Sequence, residues 1–358
     1  MTLYLDANAT EPLRPAARTA VLAALDAGGN PSAVHGTGRA ARRRLEEARE
    51  AIAMRFGARP GDVVFTGGGT EANALAVHGL GRGRRVLVGA TEHPAVLAAA
   101  GAGAEVVPVL GDGRADLAAL ERMLAGGPSA LVCLMAANNE TGVIHPIAEA
   151  AALCRAYGAL LHVDAVQAAG RIALPEGADS WALSGHKLGG PPGAGALLLR
   201  PGLELPALIA GGGQERGRRG GTEPLPAIAG MAAAVAGPGE TARLAAMRDR
   251  IEAGVAGLAV IAGAGAPRLP NTSCIILPGV AAETQVIALD LAGVRVSAGA
   301  ACSSGKVARS PVLEAMGLGA LAGCGIRVSL PWDAPEDAAE RFLEAWSAMR
   351  ARLSKSAA

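Results

Sequence analysis

Between residues 62 and 199 the chain alternates short apolar runs with amphipathic stretches, and nothing else in it constrains the fold as strongly. The runs 63–66, 86–88, 105–109, 130–135, 160–164 and 194–199 have strand length. They lack a strict in–out alternation, as strands buried on both faces do. The stretches 71–78, 95–100, 116–125 and 147–157 read as helices between them. This order predicts an α/β fold, a mostly parallel sheet covered by helices on both sides. After a Gly/Arg-rich loop at 211–222 come helices at 226–236 and 240–254, and then the pattern changes. Strands are expected at 255–260, 273–277 and 294–297, and an amphipathic helix at 336–353. The expected division is a large domain of 16–244 and a smaller α+β domain of 1–15 with 245–358. A length of 358 residues suits two such units.

Charge narrows the partners. The formal net charge is +1, so there is no electrostatic footprint for nucleic acid or an anionic membrane. The longest uncharged stretch, 123–139, contains Pro, Gly and two Asn and is 17 residues long. A membrane span needs about 20 apolar residues. The first ten residues, MTLYLDANAT, have no basic region followed by an apolar run, so no signal peptide is expected. The cysteines Cys133, Cys154, Cys274, Cys302 and Cys324 are odd in number and form no CxxC. A disulfide framework and a metal site are not expected, and the cytoplasm is the natural compartment.

Lysine is scarce. Of 33 basic residues only Lys187, Lys306 and Lys355 are lysines. Arginine stays protonated and cannot form a Schiff base, whereas lysine can. Lys187 sits in Ser184-Gly185-His186-Lys187-Leu188-Gly189-Gly190-Pro191, directly after an apolar run. That places a lone amine at the carboxyl end of a strand, where open α/β sheets bind ligands. The run His162-Val163-Asp164 ends a second strand in a carboxylate, which needs a cationic partner or strong donors once buried. A lysine Schiff base with an Asp against a pyridinium nitrogen is the arrangement that pyridoxal 5'-phosphate (PLP) sites impose. Thr66-Gly67-Gly68-Gly69-Thr70-Glu71 joins a strand to a helix and fits neither the Walker A nor the GxGxxG pattern. With Ser184 and His186 as further donors it makes a credible phosphate cup. Asn138-Asn139 and Glu92-His93 also follow strands. Each motif alone has a bland reading: a surface lysine, a helix-capping Asp, a glycine turn, a turn Asn pair, a capped His. Together they put Lys, Asp, His, Asn and a Gly/Thr loop at the carboxyl ends of expected strands.

At this level the sequence resembles the cysteine desulfurases of the class V aminotransferase family, PLP enzymes of fold type I. The likeness runs from Tyr4-Leu5-Asp6-Ala7-Asn8-Ala9-Thr10 through Asn30-Pro31-Ser32, Gly69-Thr70-Glu71, Glu92-His93, Asn138-Asn139-Glu140-Thr141-Gly142 and Asp164-Ala165-Val166-Gln167. It continues through Ser184-Gly185-His186-Lys187, the 211–222 loop and Ser297-Ala298-Gly299-Ala300-Ala301-Cys302, ending at Ile326-Arg327-Val328-Ser329.

The resemblance implies roles. Lys187 would carry the cofactor as a Schiff base and move the substrate's Cα proton. Asp164 would pair with the pyridine nitrogen and Gln167 with the phenolic oxygen, with His93 stacked over the ring and acting as acid/base. Gly69, Thr70, Ser184 and His186 would hold the phosphate. Thr222 would reach the phosphate of a partner subunit, which implies a homodimer. Arg327, with Asn139 and Asn8, would bind the substrate carboxylate. Cys302, in a loop of small residues, would take sulfur from L-cysteine as a persulfide, leaving L-alanine. Its acceptor would be an iron–sulfur scaffold protein, whose cluster Cys302 could help ligate, or another sulfur-transfer protein. Gly185, Gly221, Pro331 and the order Arg309-Ser310-Pro311 depart from the usual family pattern, all in loops. The rival readings are another PLP enzyme, such as a selenocysteine lyase or a small-amino-acid aminotransferase, a non-catalytic scaffold, and a nucleotide-binding α/β protein.

Overall fold

The structure is a computed structural model that describes residues 2–237, 240–299 and 309–356, with side chains as far as Leu353. Cys302 and Lys306 lie outside the described residues, as does the side chain of Lys355. A short strand, β1 (Leu3–Tyr4), precedes two helices, α1 (Pro15–Ala27) and α2 (Gly36–Phe56). The chain then alternates: β2 (Val63–Thr66), α3 (Gly69–Leu80), β3 (Arg85–Gly89), α4 (Pro94–Ala100), β4 (Glu105–Val107), α5 (Leu117–Ala125), β5 (Ala130–Met135), α6 (Ile147–Ala156) and β6 (Leu160–Asp164). Strands β7 (Ser180–Ser184) and β8 (Gly195–Leu199) follow, with the 3₁₀ turn Gly185–Lys187 between them.

These strands form one seven-stranded sheet in the order β2-β8-β7-β6-β5-β3-β4. Neighbours from β7 to β4 are parallel, and β8 runs antiparallel to both β7 and β2. Side chains along each strand alternate between two cores. Val63, Phe65, Val132 and Leu134 face α2, α5 and α6, while Val64, Leu131 and Cys133 face α3 and α4. Burial on both faces is why the runs carry no polar alternation.

Helices α7 (Leu225–Val235) and α8 (Thr241–Val255) lead into the second unit. It contains β9 (Val260–Ile261), β10 (Thr272–Ile276), α9 (Ala282–Leu291), β11 (Val294–Arg295), β12 (Ser297–Ala298), α10 (Pro311–Ala315), β13 (Gly325–Ser329) and α11 (Ala338–Ser356). Its four-stranded antiparallel sheet has the order β12-β13-β10-β9, and β1 pairs in parallel with β11. A further core gathers Leu3 and Leu5 with Leu244, Ile251, Val255, Phe342 and Trp346. Helix α8 runs unbroken across the 244/245 boundary, and Leu244 already belongs to this core.

The sequence expectations differ from the structure in several places. Of residues 255–260 only Val260 is in a strand, as the first residue of β9. Leu244, Met247, Ile251 and Val255 are buried at helical spacing, so Val255 closes α8, and Gly257 turns the chain at φ +73°. The run 105–109 stops as a strand at Val107, because Pro108 has no amide to give the ladder. The run 294–297 divides between β11 and β12, which pair with different partners. Helices α1, α2, α9 and α10 were not anticipated, although Ala41, Leu45, Ala48 and Ile52 trace a buried stripe along α2. Small residues let elements approach closely. A Cβ on Gly230 of α7 would lie 2.7 Å from Val21 of α1 and 2.7 Å from Pro191.

Two stability measurements test this packing. Trp346 is fully buried in the second core, so Trp346→Ala costs about 3–5 kcal/mol of unfolding free energy. A loss under about 1 kcal/mol by urea unfolding would contradict that placement. His145 is also buried, its Nδ1 accepting from Ala115 N at 3.1 Å. Burial pushes its pKa down to about 4, against an opposing pull from Asp112. Below about pH 6.5 the unfolded chain protonates this imidazole and the folded chain does not. The stability it contributes is therefore complete above pH 6.5 and is lost as pH falls toward 4. The stability gap between wild type and His145→Gln should shrink by about 1.4 kcal/mol per pH unit across that window. A constant gap would contradict the buried neutral assignment.

Candidate active site

The carboxyl ends of β2, β3, β5, β6 and β7 open onto a cavity of about 790 Å³. Its walls include Gly69, Thr70, His93, Asn139, Asp164, Gln167, Ser184, His186, Lys187 and Arg327, with Asn8 from the N-terminal segment. Of the residues anticipated from the sequence, Thr222 does not line it. Thr222 is exposed, at the end of a loop anchored by Glu215. That buried carboxylate is held by both terminal nitrogens of Arg49 at 2.7 Å and by Phe65 N at 2.9 Å. Glu215 and Arg216 adopt φ of 48° and 59° there, a left-handed conformation unusual for side-chain-bearing residues. Cys302 lies outside the described residues, but Ser297 and Gly299 before it reach the cavity wall.

Lys187 occupies the 3₁₀ turn that follows β7, and its Nζ donates to Asn8 O at 2.6 Å and Ala9 O at 2.8 Å. Gly185 in this turn has a packing reason. A Cβ there would lie 3.0 Å from Ala194 O and 3.2 Å from Met231. Asp164 ends β6 and is buried. Its Oδ2 accepts from Asn73 Nδ2 at 2.7 Å and its Oδ1 from Val166 N at 3.0 Å. Its pKa is raised, because burial outweighs the two hydrogen bonds, His93 and Lys187, which pull it down. His93 caps α4, its Nδ1 accepting from Ala95 N at 3.1 Å, so its proton is on Nε2 when the ring is neutral. Burial lowers its pKa and Lys187 lowers it further, against Asp164. His186 Nδ1 lies 3.1 Å from Thr10 Oγ1, and burial with the Lys187 charge lowers its pKa to about 4.

The cup between β2 and α3 is closely built. A Cβ on Gly69 would lie 2.8 Å from Val166 Cγ2 and 3.3 Å from Ser184 Cβ. Gly69 and Thr70, the first residues of α3, line the cavity, where a helix N-terminus favours an anion. Glu71, which would oppose an anion there, is paired with Arg219 at 2.7 Å. Across the cavity, Arg327 on β13 donates to Asp6 Oδ1 at 2.6 Å and to Asn139 O at 3.2 Å. Its Nε is buried with no hydrogen-bond partner among the described residues, a donor suited to a carboxylate.

Two anticipated residues are more heavily engaged than their motifs suggested. The Asn8 side chain donates to Asn139 O and Thr272 Oγ1 and accepts from Asn271, so this residue meets Lys187 through its carbonyl. Gln167 accepts from Arg171 at 2.6 Å and donates to Asn8 O at 3.1 Å. Three residues were missed: Asp6, Asn73 and Glu92. Glu92 is buried and its pKa lies well above the ordinary range, by burial first and by Asp164 second. Asn73 had a usable signal, a polar residue on the otherwise apolar inner face of α3. No group of three or more acidic, His or Cys residues fit for a metal occurs among the described residues.

The donor set matches PLP: an amine, a buried carboxylate, a neutral imidazole and an anion cup on one cavity. Comparison with known proteins gives the family. Residues 3–342 match the family described as Aminotransferase class-V. A cysteine desulfurase of Cereibacter sphaeroides is 42% identical, the alignment covering 96% of this chain and 94% of the relative. The X-ray structure of a NifS-like protein from Rickettsia africae superposes with a TM-score of 0.91 at 32% identity, over 98% of this chain and all of the other. A structure described as SspA in complex with cysteine superposes with a TM-score of 0.81 at 30% identity, over 92% and 99% of the two chains. The chain belongs to the class V aminotransferase family, among its cysteine desulfurases.

Proposed function

We propose that this protein takes the sulfur of L-cysteine onto Cys302 and releases L-alanine, using PLP held in the 790 Å³ cavity. One observation carries the reading: the Lys187 amine, the Asp164 carboxylate and the Arg327 guanidinium all open onto that cavity. Lys187 would hold the cofactor covalently, Asp164 its ring nitrogen, Gln167 its phenolic oxygen, and the Gly69–Thr70 cup with Ser184 and His186 its phosphate. When bound, PLP supplies an electron sink for negative charge developing at the substrate's Cα. Arg327 and Asn139 orient the substrate carboxylate. Once the substrate's amino group has displaced it from the cofactor, the Lys187 amine is free to accept the Cα proton at Nζ and return it, work that an arginine cannot do. His93, kept neutral by burial, holds or releases the proton of the substrate thiol. The Cys302 thiolate forms an S–S bond as the substrate C–S bond breaks, and the bonding pair stays with the substrate's Cβ, which takes up a proton to become the methyl group of L-alanine.

The partner assignments belong to the same proposal. Thr222 is exposed and off its own cavity, which suits a homodimer in which it completes the partner's phosphate site. The persulfide would pass to an iron–sulfur scaffold protein or another sulfur carrier. A reducing cytoplasm keeps such a thiol free. Among the described residues no helix is long and apolar enough to cross a membrane.

Alanine production from L-cysteine and the visible absorbance of bound PLP test the reading together. Lys187→Ala should lose the visible band of the lysine-bound cofactor and at least about 10²–10⁴-fold in turnover. Cys302→Ala should keep the band and lose sulfur transfer to a thiol acceptor. Wild-type turnover in Lys187→Ala, or no alanine from the unaltered chain, would reject it.

A further inference from the structure

Asp164 does not stand alone. Its Oδ2 accepts from Asn73 Nδ2 at 2.7 Å, Asn73 Oδ1 lies 2.9 Å from His162 Nε2, and His162 Nδ1 lies 2.8 Å from Ser180 Oγ. Asn73, His162 and Ser180 are all buried, on α3, β6 and β7. The direction of the protons follows from chemistry. With its NH₂ turned to the carboxylate, Asn73 has only its oxygen left for His162, so His162 Nε2 must donate. Burial holds the His162 ring neutral, with a pKa of about 3, so Nδ1 is bare and the Ser180 hydroxyl donates to it. Every donor in the chain points toward Asp164. Reversing the Asn73 amide would set a carbonyl oxygen against the carboxylate and demand a proton on it. A buried polar chain of this length has no packing advantage over apolar side chains of the same size.

We propose that Ser180, His162 and Asn73 form a positioning relay that keeps Asp164 ionised and turned toward a pyridine nitrogen in the cavity. The proposal rests on the PLP reading of that cavity. Asn73 lines the cavity, whereas His162 and Ser180 do not, so the relay acts on the cofactor through Asp164. The other groups acting on Asp164 are the Val166 amide, His93, Lys187 and Glu92. Burial and Asp164 both push the pKa of Glu92 up, which favours its protonated form and leaves the negative charge at Asp164 for the relay to stabilise.

The test uses the full chain loaded with PLP carrying ¹⁵N at the ring nitrogen. The ¹⁵N shift reports ring protonation, and fluorescence titration of the apoprotein reports the Kd for PLP. Wild type should show a protonated ring nitrogen. Asn73→Leu and His162→Leu should shift it toward the unprotonated value and weaken the Kd about tenfold or more. His162→Gln, which keeps a donor toward Asn73, should restore protonation. Folded Leu variants with a protonated ring nitrogen and an unchanged Kd would overturn the relay while leaving the cofactor reading intact. If either Leu variant lacks cooperative unfolding, Ser180→Ala decides: a weaker Kd supports the relay and an unchanged one overturns it. A wild-type chain that takes up no PLP would overturn the cofactor reading, and the relay with it.

Discussion

A strip of N-terminal chain, residues 6–11, joins the two hydrophobic cores, and the site depends on it. Its carbonyls at Asn8 and Ala9 hold the Lys187 amine, 2.6 and 2.8 Å away. Asp6 fixes Arg327, and Glu11 accepts from Arg171 at 2.9 Å and from Trp332 N at 2.6 Å. The amine comes from the large sheet and the guanidinium from the small one. Neither sheet alone sets the distance between them. The strip does so because its own side chains are consumed in bonds to both sides.

Burial is the second constraint. Ionised groups are expensive away from water unless hydrogen-bonded or paired. His145 and His162 respond with pKa values lowered to about 4 and about 3, and Glu92 with a pKa raised well above the carboxylate range. Arg49 with Glu215 and Arg171 with Glu11 respond by pairing, while Asp164 and Arg327 face the cavity. Asp164 is supported by an amide side chain and a backbone amide, Arg327 by Asp6. Each therefore presents its charge to a cavity, one ready for a cation and the other for an anion.

Much of this was legible in the sequence, for reasons specific to the residues. A parallel strand buried on both faces has to be an apolar run, so β5 and β8 could be read directly from their sequences. Ligands meet such sheets at the strand ends, so Lys187, Asp164, His93 and the Gly69 turn could be grouped before any coordinates were known. Other features depended on contacts that no local pattern encodes. Val255 is apolar whether it ends a helix or starts a strand, and only its spacing from Ile251 favours the helix. The role of Asp6 requires β13 to lie beside the N-terminal segment, 321 residues away. Asn73 reads as an ordinary polar residue until β6 brings His162 and Asp164 to it. Gly185 looked like a departure from the family pattern, and the closeness of Met231 accounts for it.

The central claim is that sulfur leaves L-cysteine for one particular thiol. Among the described cysteines, burial raises the pKa of Cys133 well above the ordinary thiol range and that of Cys154 and Cys274 to about 12, which disfavours their thiolates. Peptide mass spectrometry after brief exposure of the PLP-loaded chain to L-cysteine reads the outcome directly. The account predicts one added sulfur atom on the peptide that carries Cys302 and none on those carrying Cys133, Cys154 or Cys274. Sulfur on a buried cysteine, or alanine release with Cys302 unmodified at every time point, would contradict it.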